Sequence, residues 1–141
     1  MAALTRRNSR EVTDDALAWL EQRNPDQPFL LWVHYFDPHF PYAPPPEFLE
    51  QAGGKPYLAE VASMDHDVGR LVDQLDEVLG TDAYLLAIVA DHGESFGHDY
   101  WFNHKDSLME GVLHVPLTIS GPGIEPGVVD EPIGLVDLAP T

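Results

Sequence analysis

The chain has 141 residues, 44% hydrophobic and 10% aromatic, which suits one packed domain and is too apolar for a disordered segment. Seven basic against 24 acidic residues leave a formal charge of -17, which argues against a phosphate-tracking nucleic-acid surface and suits hard cations with oxygen ligands, although most carboxylates read as solvated surface. With no cysteine, these residues hold no disulfide, zinc-thiolate site or cysteine nucleophile, and no secretory signal or transmembrane run is visible.

Residues 1–10 form a small polar and basic lead, expected to be disordered. Thr13, Asp14 and Asp15 look like a helix start, with a hydroxyl cap and two carboxylates near the positive end of the helix dipole. That capping role accounts for the paired aspartates better than a metal site does. Ala16, Leu17, Trp19 and Leu20 give the helix an apolar side, and Asn24 with Pro25 stops it. Residues 29–36, FLLWVHYF, read as a buried strand. After it come Asp37, Pro38, His39, Phe40, Pro41 and Tyr42, then Pro44, Pro45 and Pro46, a run of prolines that holds a long connection still. His34, inside the strand, reads as a packed core imidazole, and His39, just past its end, as a site residue.

From Tyr57 the apolar period becomes helical through Leu58, Val61, Met64, Val68, Leu71, Val72, Leu75, Val78 and Leu79, and Gly80 closes the helix. Asp65, His66, Asp67, Asp73 and Asp76 read as its solvated face, with Asp65 able to reach a neighbouring loop. A helix of about twenty residues between two buried strands is a right-handed crossover, so residues 29–36 and 84–90 should run parallel. The expected fold is α/β, a three-layer sandwich with a mostly parallel sheet. Both polar clusters then leave the same sheet edge, which joins His39 to Asp91 and His92.

Residues 84–90 are a nearly continuous apolar run that suits a strand buried on both faces. Directly after it stand Asp91, His92, Glu94, His98, Asp99, His104, Lys105 and Asp106, with Gly93 and Gly97 supplying backbone freedom. Titratable groups past the carboxyl end of a buried strand occupy the ligand crevice of open α/β sheets. Residues 107–113 suit a helical turn, and 114–119, HVPLTI, a third strand that Pro116 makes an edge strand or a late starter. Residues 135–141 begin another element.

The order DPHFPY, VGRLVDQL, ADHGESFG, NHK, HVPLTISGPG, LVDLAPT resembles the carboxyl-terminal part of the catalytic domain of sulfatases, in the alkaline phosphatase superfamily, from about residue 12 to 141. The resemblance implies a divalent cation, calcium first, held partly by Asp91 and His92. Because imidazole is soft for calcium, magnesium, manganese and zinc stay open. It also implies that His39 meets the sulfate or the leaving oxygen and that Lys105 binds the sulfate, with His104 a second candidate for that role. Glu94 reads as a carboxylate that orients His92 or a neighbour rather than as a ligand; His98 and Asp99 are not ranked above surface residues. Cleavage of a sulfate ester builds negative charge on the transferred group and the leaving oxygen, which a cation, a lysine and protonated imidazoles stabilise.

The family's nucleophile is a formylglycine made from a C/S-x-P-x-R motif, and this sequence contains none. Nor do Asp14 and Asp15 follow an apolar strand, as the family's first two metal aspartates do. The chain therefore reads as a single partial sulfatase-like domain, residues 1–141, inactive alone, whose complete enzyme takes a sulfate ester. Two alternatives stand beside it: part of a related phosphodiesterase, phosphatase or phosphoethanolamine transferase, or a non-catalytic binding module. Missing strands predict an open sheet edge that favours self-association. Many members are exported, but nothing in these residues marks a compartment.

Overall fold

The computed structural model describes residues 6–96, 104 and 108–139. They gather into two compact units, one extending to Gly80 and one beginning at Thr81.

The first unit opens with helix α1, Ser9–Gln22. Asn8 caps it: its side chain accepts the Glu11 amide at 3.0 Å, and Glu11 returns a 3.0 Å bond from the Asn8 amide. The helix thus begins earlier than Thr13, and the lead expected to be disordered is ordered from Arg6 onward; residues 1–5 lie outside the described residues. Asn8 and Glu11 form a better cap than Thr13 because each satisfies the other's backbone donor. Thr13 is instead fully buried on the helix, while Asp14 and Asp15 pair with Arg70 at 2.7 Å and Arg7 at 2.6 Å.

Helix α2, Pro46–Gln51, grows directly out of the proline run, with Pro46 in the first turn, where a missing amide hydrogen costs nothing. Helix α3, Pro56–Leu79, has the length expected from its periodicity and stops at Gly80, whose φ of 97° suits glycine. Both α1 and α2 pack on α3, and the core holds Ala16, Leu20, Ala59, Leu71 and Leu75. The inward positions of α3 also include Glu60, Ser63 and Asp67, so Asp67 is not part of a solvated face. Its carboxylate accepts from Ser9 Oγ at 2.8 Å and from Arg70 at 2.9 Å, which offsets the desolvation of the charge.

Residues 29–36 differ from the expected buried strand. They carry no strand pairing among the described residues, and from Leu31 to Phe36 they alternate between half-buried and exposed, with Trp32 83% exposed. Apolar composition predicts an extended backbone, but a strand also needs a partner for its amides and carbonyls. His34 falls on the exposed side of this alternation and is not a core imidazole.

In the second unit strand β1, Leu86–Val89, pairs antiparallel with β2, Leu117–Ser120; Leu86 faces Ser120 and Val89 faces Leu117. This is the sheet of the described residues, and its pairing is antiparallel where a mostly parallel sheet was expected. β2 starts just after Pro116, as the missing proline donor suggests. Ile88 and Val89 are exposed, so β1 is not covered on both faces within its unit. Between the strands lies helix α4, Glu110–Leu113, inside the expected turn, and a short 3-10 turn at Leu135–Asp137 follows. Helices with a short sheet are consistent with the α/β class. No helix among the described residues is long and apolar enough to cross a membrane.

Candidate functional site

The first cluster hangs from the end of β1. Ala90 extends the ladder by donating to the Pro116 carbonyl at 3.4 Å, and Asp91 follows with its side chain 79% exposed. One carboxylate oxygen of Asp91 accepts the His92 amide at 3.0 Å. The His92 ring sets Nδ1 2.8 Å from the Gly93 carbonyl; a carbonyl only accepts, so Nδ1 carries a hydrogen, and in the neutral ring Nε2 holds the lone pair. Nε2 lies 3.8 Å from the same Asp91 oxygen.

Gly93 is needed here for room rather than for an unusual φ. Its amide donates to the Val112 carbonyl at 2.7 Å, which presses the loop onto α4 and fixes the direction in which Asp91 and His92 leave the strand. The His104 ring stacks on His92 with centroids 4.1 Å apart and planes 23° from parallel. Its Nδ1 lies 3.5 Å from Glu94 Oε2, and the Glu94 side chain is only 10% exposed. Glu94 therefore stands beside His104, which in turn lies flat against His92. Lys105, His98 and Asp99 lie outside the described residues.

Two donors 3.8 Å apart, one carboxylate oxygen and one imidazole nitrogen with its lone pair exposed by the tautomer, are within reach of one cation at metal–ligand distances of about 2.0–2.6 Å. The pair alone is fewer than the roughly four to eight ligands that a divalent ion takes, and among the described residues no group of three or more candidate ligands occurs. An oxygen with a nitrogen suits borderline metals as well as calcium.

His39 belongs to the first unit, in the proline-rich loop after residue 36. Its ring stacks on Phe36 at 4.4 Å, and Nδ1 lies 2.6 Å from the Phe40 carbonyl, which again puts a hydrogen on Nδ1 and, in the neutral ring, the lone pair on Nε2. Peptide bonds Asp37–Pro38 and Phe40–Pro41 are both cis. With prolines at 38 and 41, the loop lacks donors for a ladder of its own, and the amides and carbonyls named next are satisfied from outside it. Glu60 of α3 accepts the amides of His39 at 3.1 Å and Ala43 at 2.7 Å. Arg6 donates to the carbonyls of His39 at 2.6 Å and Pro41 at 2.9 Å and pairs with Asp37 and Glu60. The sequence reading missed both residues, placing Arg6 in a disordered lead and passing over Glu60. The available signal was the spacing of Glu60, Ser63 and Asp67 on the side of α3 that also carries Leu71 and Leu75.

A family model described as Sulfatase matches residues 4–141. Choline-sulfatase of Rhizobium meliloti (strain 1021) is 38% identical over 86 residues, covering 60% of this chain and 16% of that protein. Steryl-sulfatase of Mus musculus is 31% identical over 147 residues, 94% of this chain and 23% of that protein. Arylsulfatase of Clostridium perfringens (strain 13 / Type A) is 27% identical over 175 residues, 92% of this chain and 36% of that protein. The crystal structure of Ps i-CgsB in complex with k-i-k-neocarrahexaose matches in fold, with a TM-score of 0.66 at 22% identity over 82% of this chain and 28% of that one. The chain spans between 16% and 36% of the length of these curated relatives. Because the family model matches nearly from end to end, the chain belongs to the sulfatase family.

Proposed function

We propose that this chain supplies part of the active site of a sulfuric ester hydrolase, with Asp91 and His92 contributing to a divalent cation site, calcium first, and His39, Lys105 and His104 serving the sulfate group. The observation that carries this reading is the group at the end of β1, where Asp91 and His92 Nε2 converge while His104 is stacked on His92 and backed by Glu94. A bound cation would offset the negative charge on the sulfuryl oxygens. His39, with Nδ1 committed to the Phe40 carbonyl, has Nε2 as the atom that, once protonated, delivers a proton to the departing alcohol oxygen. Lys105 contributes a fixed positive charge toward sulfate, and His104 is the imidazole next to it in sequence. We read the complete fold as a three-layer sandwich with a mostly parallel sheet. With no C/S-x-P-x-R motif in this sequence, the nucleophile comes from other residues of the complete protein, and the chain alone turns over no ester.

The test is hydrolysis of 4-nitrophenyl sulfate by the complete protein, with and without a chelator, alongside His39→Ala. Activity should vanish on chelation, return with calcium, and fall by about 10²–10⁴ in kcat in the variant. Turnover of the phosphate ester but not the sulfate, or indifference to chelation and to His39→Ala, would overturn it.

A further inference from the structure

The loop bearing His39 is bonded at alternate residues, 37, 39, 41 and 43, and side chains of α3 and of the segment just before α1 supply bonds to its backbone. Glu60, 4% exposed on α3, divides its two oxygens between the amides of His39 and Ala43. Arg6 takes the carbonyls of His39 and Pro41 and closes the ring by pairing with both Asp37 and Glu60. Asp37 in turn accepts the Ser9 amide at 2.8 Å, so the loop is tied to the start of α1 as well. His39 is thus gripped on both sides of its peptide unit, at N–H by a carboxylate and at C=O by a guanidinium.

Such a grip does more than satisfy polar groups. Among the contacts that orient the ring are the stack on Phe36 and the Nδ1 bond to the Phe40 carbonyl, and both depend on where the His39 backbone sits. Moving the backbone breaks the Nδ1 bond, and with it the preference for the tautomer that leaves Nε2 as acceptor. The carboxylate is specific in this place, because it presents two acceptors to two amide donors. An amide side chain would turn an NH₂ group toward one of them. The guanidinium is equally specific, since its planar fork spans two carbonyls and two carboxylates at once, which a lysine ammonium cannot match.

We infer that Glu60 and Arg6 are positioning residues for His39, fixing its backbone so that the imidazole is held in one orientation and one tautomer. The catalytic weight of this device rests on the role given to His39 under Proposed function, whereas the orientation itself does not.

The experiment has two arms. In the first, the chain is labelled with ¹⁵N-histidine, the His39 ring signals are assigned from the spectrum of His39→Gln, and the wild type is compared with Glu60→Gln and Arg6→Lys, with far-UV circular dichroism checking that each variant is folded. The wild type should show a ring held as the Nδ1–H tautomer and a His39 amide protected from hydrogen exchange. Either folded variant should show averaged ring nitrogens and a faster amide. Retention of the single tautomer and of amide protection in a folded variant would overturn the inference, and Arg6→Lys, further from the core, keeps the test open if Glu60→Gln does not fold. In the second arm, kcat and KM for 4-nitrophenyl sulfate are measured in the complete protein. Glu60→Gln should lower kcat by about tenfold to a hundredfold with little change in KM. Combined with His39→Ala, it should add no further loss. Additive losses would overturn the claim that Glu60 acts through His39. If His39→Ala itself leaves kcat intact, the role of His39 falls, while the ring spectra still decide whether Glu60 and Arg6 hold it.

Discussion

Gly93 faces the carbonyl of Gly111 so closely that a Cβ placed on Gly93 would lie 2.1 Å from that oxygen. This contact sets the path of the loop carrying Asp91, His92 and Glu94, because the Gly93 amide also bonds the next carbonyl, that of Val112. The clash is with backbone, which cannot rotate away. Gly93→Ala should therefore cost at least about 1–3 kcal/mol in the second unit. Gly111→Ala is the control: among the described residues its Cβ would come no nearer than 3.8 Å to an atom outside its own helix and chain neighbours, and the change should stay within about 0.5 kcal/mol. Thermal unfolding of the two variants checks the contrast, and equal melting temperatures would refute it.

Asp67 is buried on α3 and joins Ser9, at the start of α1, to Arg70. Replacing it with alanine leaves the Ser9 hydroxyl without its acceptor in a buried place, so Asp67→Ala should destabilise the first unit by about 2 kcal/mol. Asp67→Asn keeps an acceptor and should lose less. Urea denaturation followed by tryptophan fluorescence compares the two; equal midpoints would mean that solvent already satisfies Ser9.

Tyr35 and Thr13 share a 2.8 Å hydrogen bond between α1 and the extended segment. Burial pushes the Tyr35 phenol above its ordinary value near 10, and the neighbouring Asp67 charge acts in the same direction. A group whose pKa is raised in the folded state contributes stability that is complete below its unfolded value and is lost as pH rises through the folded one. The wild type should therefore lose stability above about pH 10. Tyr35→Phe should be weaker at pH 8 by about 1 kcal/mol, for the lost hydrogen bond, and should show less of the alkaline decline. Urea midpoints between pH 8 and 11 test this: the two curves should converge with rising pH, and parallel curves would count against it.

Asp91 and His92 are proposed to hold part of a divalent cation, and binding to the folded form raises stability by mass action. At a calcium concentration one hundred times the dissociation constant the gain is about 2.7 kcal/mol. A calcium-dependent rise in melting temperature is expected for the chain and should vanish in the Asp91→Ala, His92→Ala double variant. A rise that survives in the variant would move the cation elsewhere.

What was legible from the sequence is what short-range chemistry controls. The period of α3, its stop at Gly80, the strand before Asp91 and the late start of β2 after Pro116 all follow from side-chain pattern and backbone dihedrals. The family could also be read, since its motifs keep their order along the chain and the match extends over residues 4–141. Pairing was not legible. Residues 29–36 have the composition of a buried strand yet carry no sheet partner among the described residues, and β1 pairs antiparallel with β2. Extension is a local preference, whereas hydrogen bonding to a neighbour depends on which segments the tertiary structure brings alongside. The same holds for the polar residues. Its place off the apolar stripe assigned Asp67 to solvent, a polar terminal stretch put Arg6 in a disordered lead, and Glu60 drew no notice. Only the packing of α1 and the proline loop against α3 supplies each with partners, which is what allows a charged group to stay buried.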